Sequence, residues 1–390
     1  MPGRVAKLLV LLFLLPAHLG SADAGQSPPA AAAVPAGPGG VGYRLMPVQG
    51  GDARPGVLRI WYPADACAAP LRYADYLHGP DGGTAAGNTA DELRRGLDSP
   101  DAPIADDAWA RVLATPFRAC RDTAPAAGRA PLILALHLPG AWPIAAEWFA
   151  AHGYVFASVE RAPGRPAGTD LPARIAQRMI EFVDDLEVAQ AALAREGLVD
   201  PDQVGVIGQN HALLMFAMRH VSVRAVALQD SGFRADPSSD AAGRTGLWSP
   251  STLRAALLHV IPRERLDQEA RWDAFRDATP APWTRVIVNA PSGGHADVTS
   301  DGHLVRTRVP LRTGPHQDLV RAFESLLRAQ LAFFDRHVAT RAGAPAIDRV
   351  LDGALFTIER GARPGGRGVP ATAASSARHA SARRSRQSPA

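Results

Sequence analysis

The sequence predicts an α/β fold, a mostly parallel central sheet with helices on both faces. Three observations carry that reading. Short apolar runs alternate with longer amphipathic stretches from about Gly42 to Phe356, the pattern of repeated strand–helix crossovers. One run, Pro131–Leu138 (PLILALHL), is apolar at nearly every position, as a strand covered on both faces must be. Two long stretches hold apolar residues at three- and four-residue spacing, the period of a helix lying on a core.

Taken in order, Val57–Tyr62 (VLRIWY) alternates as a strand, Pro131–Leu138 is the buried strand, and Val155–Val159 (VFASV) is another. Leu171–Arg195 is a long helix with Ile175, Met179, Phe182, Val183, Leu186, Ala189 and Leu193 on its stripe. Val204–Gly208 (VGVIG) is a strand and His211–His220 a short helix; Ala225–Leu228, Ala255–Val260 and Arg285–Val288 are further strands. His316–Val338 closes as a helix, with Leu319, Phe323, Leu326, Leu327, Leu331 and Phe334 on one stripe. There is no internal repeat. One domain over 42–360 accounts for all of these elements, and ligands are expected at the carboxyl ends of its strands.

Composition narrows the chemistry. The chain has 390 residues, 46% hydrophobic and 21% charged, enough to bury a large core. Its only lysine is Lys7, so a P-loop, a Schiff-base lysine and a Ser–Lys dyad are all excluded. The net charge is +4, but residues 1–24 contribute +1 and 363–390 contribute +6, which leaves −3 for the body between them. A faintly acidic body is not a nucleic-acid-binding domain.

The ends read as processing and linker sequence. Arg4 and Lys7, the apolar run Leu8–Leu15 and the small-x-small site Ala22-Asp23-Ala24 make residues 1–24 a secretory signal peptide. Residues 25–41 are a flexible Gly/Pro/Ala segment, and 361–390 a disordered basic tail. No later apolar stretch reaches the ~18 residues a membrane-spanning helix needs. The expected product is exported, periplasmic or secreted, and does not span the membrane. Export places Cys67 and Cys120 where one disulfide can form, the alternative being two buried thiols. Their Pro/Ala-rich surroundings favour the disulfide.

Chemistry in such a fold belongs just after strands. Four places qualify: His137, the run Gly208-Gln209-Asn210-His211-Ala212, Gln229-Asp230, and His295 in PSGGHAD. The second is a strand, a sharp turn and a helix with small residues at its first and fifth positions. That is the setting of a nucleophile elbow, G-x-S-x-G. Ser158, Ser222 and Ser231 are the nearby serines, and none stands at a Gly-flanked strand–helix turn.

At this point the sequence resembles the α/β-hydrolase group of platelet-activating-factor acetylhydrolases and dienelactone-hydrolase-like esterases. The likeness runs from Arg54-Pro55 and Arg59-Ile60-Trp61-Tyr62-Pro63 through PLILALHLPG, AAHGYVFASVERAPG, VGVIGQNHA, VRAVALQD and GGHADVTSD to LAFFDRHV. It implies an α/β-hydrolase fold and a small-ester or acyl-lipid-like ligand. It also implies a serine attacking an ester, a histidine taking its proton, a carboxylate orienting the histidine, and backbone N–H groups holding the oxyanion.

Mapped residue by residue, the machinery is altered. Asn210 occupies the serine's position and cannot form an acyl intermediate, although asparagine tolerates the strained backbone of an elbow. The oxyanion donors fall at the N–H of His211 and at Pro139, which has none. Gln229 aligns with the acid and Asp230 follows it; relatives with the acid after the next strand would use Glu264 or Asp267. His295 keeps its place, with Asp297 and Asp301 after it. His137, His211 and His295 could together suggest zinc, but their order lacks H-E-x-x-H spacing, so no metal and no cofactor is expected. The expected function is therefore ligand or partner binding in an old ester pocket. The alternative is an active hydrolase with unusual machinery, either water activated by His295 or a histidine metal site. No protein partner is named by the sequence.

Overall fold

The computed structural model describes residues 39–50, 54–65, 67, 69–77, 90–97, 103–136, 142–162, 164, 170–230, 233, 237–290, 299–309 and 316–361. The expected signal peptide lies outside the described residues, as does the expected basic tail beyond Gly361, which itself ends the last strand. Eleven strands form one sheet: β1 (Gly40–Gln49), β2 (Pro55–Ala64), β3 (Pro70–Arg72), β4 (Pro116–Arg121), β5 (Ala130–Leu136), β6 (Val155–Arg161), β7 (Val199–Gly208), β8 (Val223–Gln229), β9 (Ala256–Pro262), β10 (Trp283–Val288) and β11 (Phe356–Gly361). The helices are α1 (Tyr73–Tyr76), α2 (Ala90–Leu97), α3 (Asp106–Leu113), α4 (Pro143–Ala151), α5 (Leu171–Arg195), α6 (His211–Arg219), α7 (Pro237–Arg244), α8 (Trp272–Ala278), α9 (Ser300–Arg308), α10 (His316–His337) and α11 (Ile347–Val350).

The strand order is β11-β10-β9-β8-β7-β5-β6-β2-β1-β4-β3. The run from β6 through β5, β7, β8 and β9 to β10 is parallel throughout. Antiparallel pairing joins β2 to both β6 and β1, β11 to β10, and β3 to β4. The expectation of a mostly parallel sheet therefore describes the centre, and antiparallel strands extend both sides.

The central strands explain their own composition. In β5, Ile133 and Ala135 face one core while Leu132, Leu134 and Leu136 face the other. Residues of α3, α4, α9 and α10 fill the first core, and residues of α5, α6, α7 and α8 fill the second. Helix α5 keeps its expected limits, with Asp170 capping the start by accepting from Ala173 N at 2.7 Å.

Cys67 and Cys120 form a disulfide, with Cα atoms 5.3 Å apart, inside the range a disulfide requires. The bond decides between the two readings of the cysteines. It holds the chain before β3 to β4, where Ala69 N also donates to Cys120 Sγ at 3.2 Å. No helix among the described residues is long and apolar enough to cross a membrane.

Candidate functional site

The parallel strands end at one edge, and the site is built there. Strand β7 delivers Gly208, whose φ of +153° is one that side-chain-bearing residues rarely adopt. A Cβ on it would come 3.0 Å from Leu213 Cδ1 and 3.8 Å from Trp142 Cζ2. The backbone angle favours glycine here, and a side chain would also press on Leu213 of α6.

Asn210 stands between strand and helix, as the sequence places it, but its backbone corrects one expectation. Its φ and ψ are −126° and 141°, ordinary extended values rather than the left-handed strain of a working elbow. The side chain supplies the reason. Asn210 Oδ1 accepts from Ala212 N at 2.8 Å and caps α6, satisfying one of the N–H groups that a helix start leaves open. The residue that the sequence resemblance aligns with a nucleophile serves here as a helix cap.

His211 is the first residue of α6, a position whose N–H has no partner within the helix. Its ring is buried edge-on against Phe233 and Trp248, with centroids 5.5 and 5.4 Å apart. Pro139, His137, His295 and Asp297 lie outside the described residues, so the second oxyanion position and the histidine are not described.

At the end of β8 the two acid candidates separate. Asp230 is buried, with a left-handed φ of +49°, and its N–H donates to Val260 O at 2.8 Å. Its Oδ2 accepts from Arg265, on the turn Arg263–Gln268 that follows β9. A carboxylate engaged by a guanidinium is held there by charge as well as by the hydrogen bond. Gln229 is also buried, and its Oε1 finds no partner among the described residues. Glu264 and Asp267 are exposed on the Arg263–Gln268 turn. Asp301, in the first turn of α9, is buried, and that burial raises its carboxyl above the usual range against bonds from Thr299 and Gly302.

The other serines do not provide a substitute elbow. Ser158 is buried within β6, Ser222 accepts from Gln190 Nε2 at 3.1 Å, and Ser231 lies outside the described residues. Among the described residues, no three His, Cys, Asp or Glu side chains are grouped as metal ligands.

Three site residues escaped the sequence reading. Trp142 Nε1 donates to Leu136 O at 2.9 Å, which seats the indole beside Gly208. Ser300 is fully buried and its Oγ accepts from Ile144 N at 3.1 Å, joining α9 to the start of α4. Gln330 is fully buried on α10. Only the last left a signal: it follows Leu326 by four and Leu327 by three, a polar residue inside an apolar stripe.

No family model matches the chain, and no curated protein does. Solved structures do. A ferulic acid esterase from Streptomyces cinnamoneus superposes with a TM-score of 0.58 at 18% identity, over 86% of this chain and 98% of that one. A puromycin-hydrolyzing peptidase from Mycobacterium tuberculosis gives 0.44 at 14% identity, over 81% of this chain and 41% of that one. The fold is that of the α/β-hydrolases.

Proposed function

We propose that the protein is an exported relative of the acetylhydrolase and dienelactone-hydrolase type that binds a small ester or acyl-lipid-like ligand in the old pocket without turning it over. The observation that carries this reading is Asn210: the nucleophile's position holds an amide, and that amide caps α6. An amide nitrogen is delocalised and offers no lone pair for attack on a carbonyl. The neighbouring groups point the same way. Asp230 is engaged by Arg265, Gln229 cannot act as a base, and Pro139 has no N–H to give an oxyanion. The signal-like residues 1–24 and the disulfide support export.

The test is turnover of short-chain nitrophenyl esters, together with labelling by an organophosphate serine-hydrolase probe. Neither hydrolysis nor labelling is expected. A clear rate that disappears in His295→Ala would overturn the reading in favour of water activated by His295.

A further inference from the structure

A cleft of about 260 Å³ lies between the C-terminal turns of α10, the segment 345–348 and the paired strands β10 and β11. Thr284 stands near the amino end of β10, opposite Arg360 of β11, so the cleft is at the edge of the sheet away from the elbow. At ~30 Å³ per water that volume holds roughly eight waters, which is room for a small organic molecule. The cleft is open as it stands. Ala332, Phe333, Pro345 and Ile347 give it an apolar wall.

Three polar side chains of the lining make no hydrogen bond or ion pair among the described residues: the Thr284 hydroxyl, the Arg336 guanidinium and the His337 ring nitrogens. All three can donate. Burial, with Arg336 beside it, lowers the His337 pKa, so at neutral pH the ring supplies an N–H and no charge. The nearby acids are taken. Asp348 pairs with Arg360 at 3.4 Å, Asp335 with Arg341 at 2.8 Å, and Glu359 with Arg285 at 3.5 Å. Arg336 is therefore an uncompensated charge beside an apolar wall. A cation in the last turn of a helix is ordinary, and that accounts for the charge alone. It does not account for two further donors lining the same open cleft.

These groups specify a complement. A guanidinium offers parallel N–H groups that match a carboxylate, and one uncompensated positive charge matches one negative charge. A phosphate monoester brings nearly two charges at neutral pH and would be only half neutralised. An ammonium would meet Arg336 with the acid of the lining, Asp348, already engaged. The apolar wall suits a hydrocarbon stem. We propose that this cleft binds a small monocarboxylate on an apolar stem, with the carboxylate on Arg336 and with Thr284 and His337 as further donors. Its place at the far edge of the sheet makes it independent of Asn210 and of the elbow.

The experiment is calorimetric titration of the full chain, at constant ionic strength, with benzoate, benzyl alcohol and phenyl phosphate, repeated on Arg336→Gln and Arg328→Gln. Both arginines are exposed on α10, so each variant removes the same charge without touching the core, but Arg328 lies outside the cleft. Benzoate should bind saturably at one site per chain, at least about tenfold tighter than benzyl alcohol or phenyl phosphate. Arg336→Gln should weaken it at least about tenfold, and Arg328→Gln should bind it as the wild type does. Absence of saturable benzoate binding, equal binding of benzyl alcohol, tighter binding of phenyl phosphate, or an equal loss in Arg328→Gln would each overturn the site. Benzoate that binds Arg336→Gln as tightly as the wild type would be sitting elsewhere, at the elbow or on the C-terminal arginines, and would overturn it too.

Discussion

Polar groups are buried in opposite ways beside the start of helix α4 and at its middle. In the middle, Glu147 is buried and fully matched: Tyr76 Oη and Ala119 N donate to Oε1 at 2.5 and 2.8 Å, and Arg118 N donates to Oε2 at 2.9 Å. At the start, Trp142 and Ala145 border a crevice in which three amide atoms of Gln229 and Gln330 are unmatched. Glu147 lies on α4 itself, Gln229 on β8 and Gln330 on α10, and all three are buried to a similar degree, so the difference is not a matter of depth. A buried polar group with every bond made is architecture, here tying α4 to β4 and to Tyr76. A buried polar group with bonds left open lowers stability, and its presence needs another cause.

The sharpest way to break that contrast is to spoil the matched side. Glu147→Leu would leave the Tyr76 hydroxyl and two backbone N–H groups without an acceptor. At about 1–3 kcal/mol for each orphan, the expected loss is roughly 3 kcal/mol or more, read from urea unfolding midpoints. Tyr76→Phe removes one donor and leaves the other two bonds, so about 1 kcal/mol is expected. A Glu147→Leu protein as stable as the wild type would show that the matched network contributes nothing and would dissolve the comparison.

A pH measurement probes the unmatched side. His303 of α9 is buried, stacks on Phe323 at 4.4 Å, and its Nδ1 has no partner among the described residues. Burial lowers its pKa to about 4. Between pH 6.5 and that value the unfolded chain takes up a proton that the folded protein refuses. Stability contributed by the neutral ring is therefore present above pH 6.5 and lost on acidification, by about 3 kcal/mol across the window. Asp301 and Glu147 act in the other direction, because burial raises both carboxyls and the folded state holds their protons longer as pH rises. The quantity to read is thus the difference between the wild type and His303→Phe. The wild type should lose stability more steeply below pH 6.5, and parallel curves would show that His303 is not a buried neutral base.

Much of this arrangement could be seen in the sequence, and what could not has physical reasons. Strands and helices with one clear period stood out: α5 and the parallel core of the sheet follow their expected places. Helix α4 did not, because all nine of its residues are buried and a helix buried all round has no polar face to set a period. Strand β4 (PFRACR) carries two arginines and reads as polar. At the site, the positions of Asn210, Gln229 and Asp230 followed from strand ends alone. The partners of Asn210 Oδ1 and Asp230 Oδ2 did not, since a cap and a turn-to-turn ion pair depend on backbone angles that residue types leave open. Ser300 and Trp142 were hidden because each meets its partners only after distant segments pack.

The smallest expected change is also the most direct test of where the elbow belongs in this contrast. Asn210 behaves like the matched side: its oxygen is bonded, its backbone is relaxed and its role is a cap. Serine caps a helix about as well as asparagine, so Asn210→Ser should leave stability within about 0.5 kcal/mol. It also restores a hydroxyl at the nucleophile's position, yet little or no ester hydrolysis should follow. Triad members act as a unit, and on the proposed reading the others remain impaired: Gln229 is no acid, Asp230 is engaged by Arg265, and a proline at position 139 has no N–H to donate. Adding Gln229→Asp should raise nitrophenyl-ester turnover, and replacing Pro139 with a residue that has an N–H should raise it again. High activity in Asn210→Ser alone would mean that acid and oxyanion hole still work, and that this corner was a poised site lacking only its serine. No activity in the triple variant would count against the elbow assignment, because restoring all three functions at a true elbow should return measurable acyl transfer.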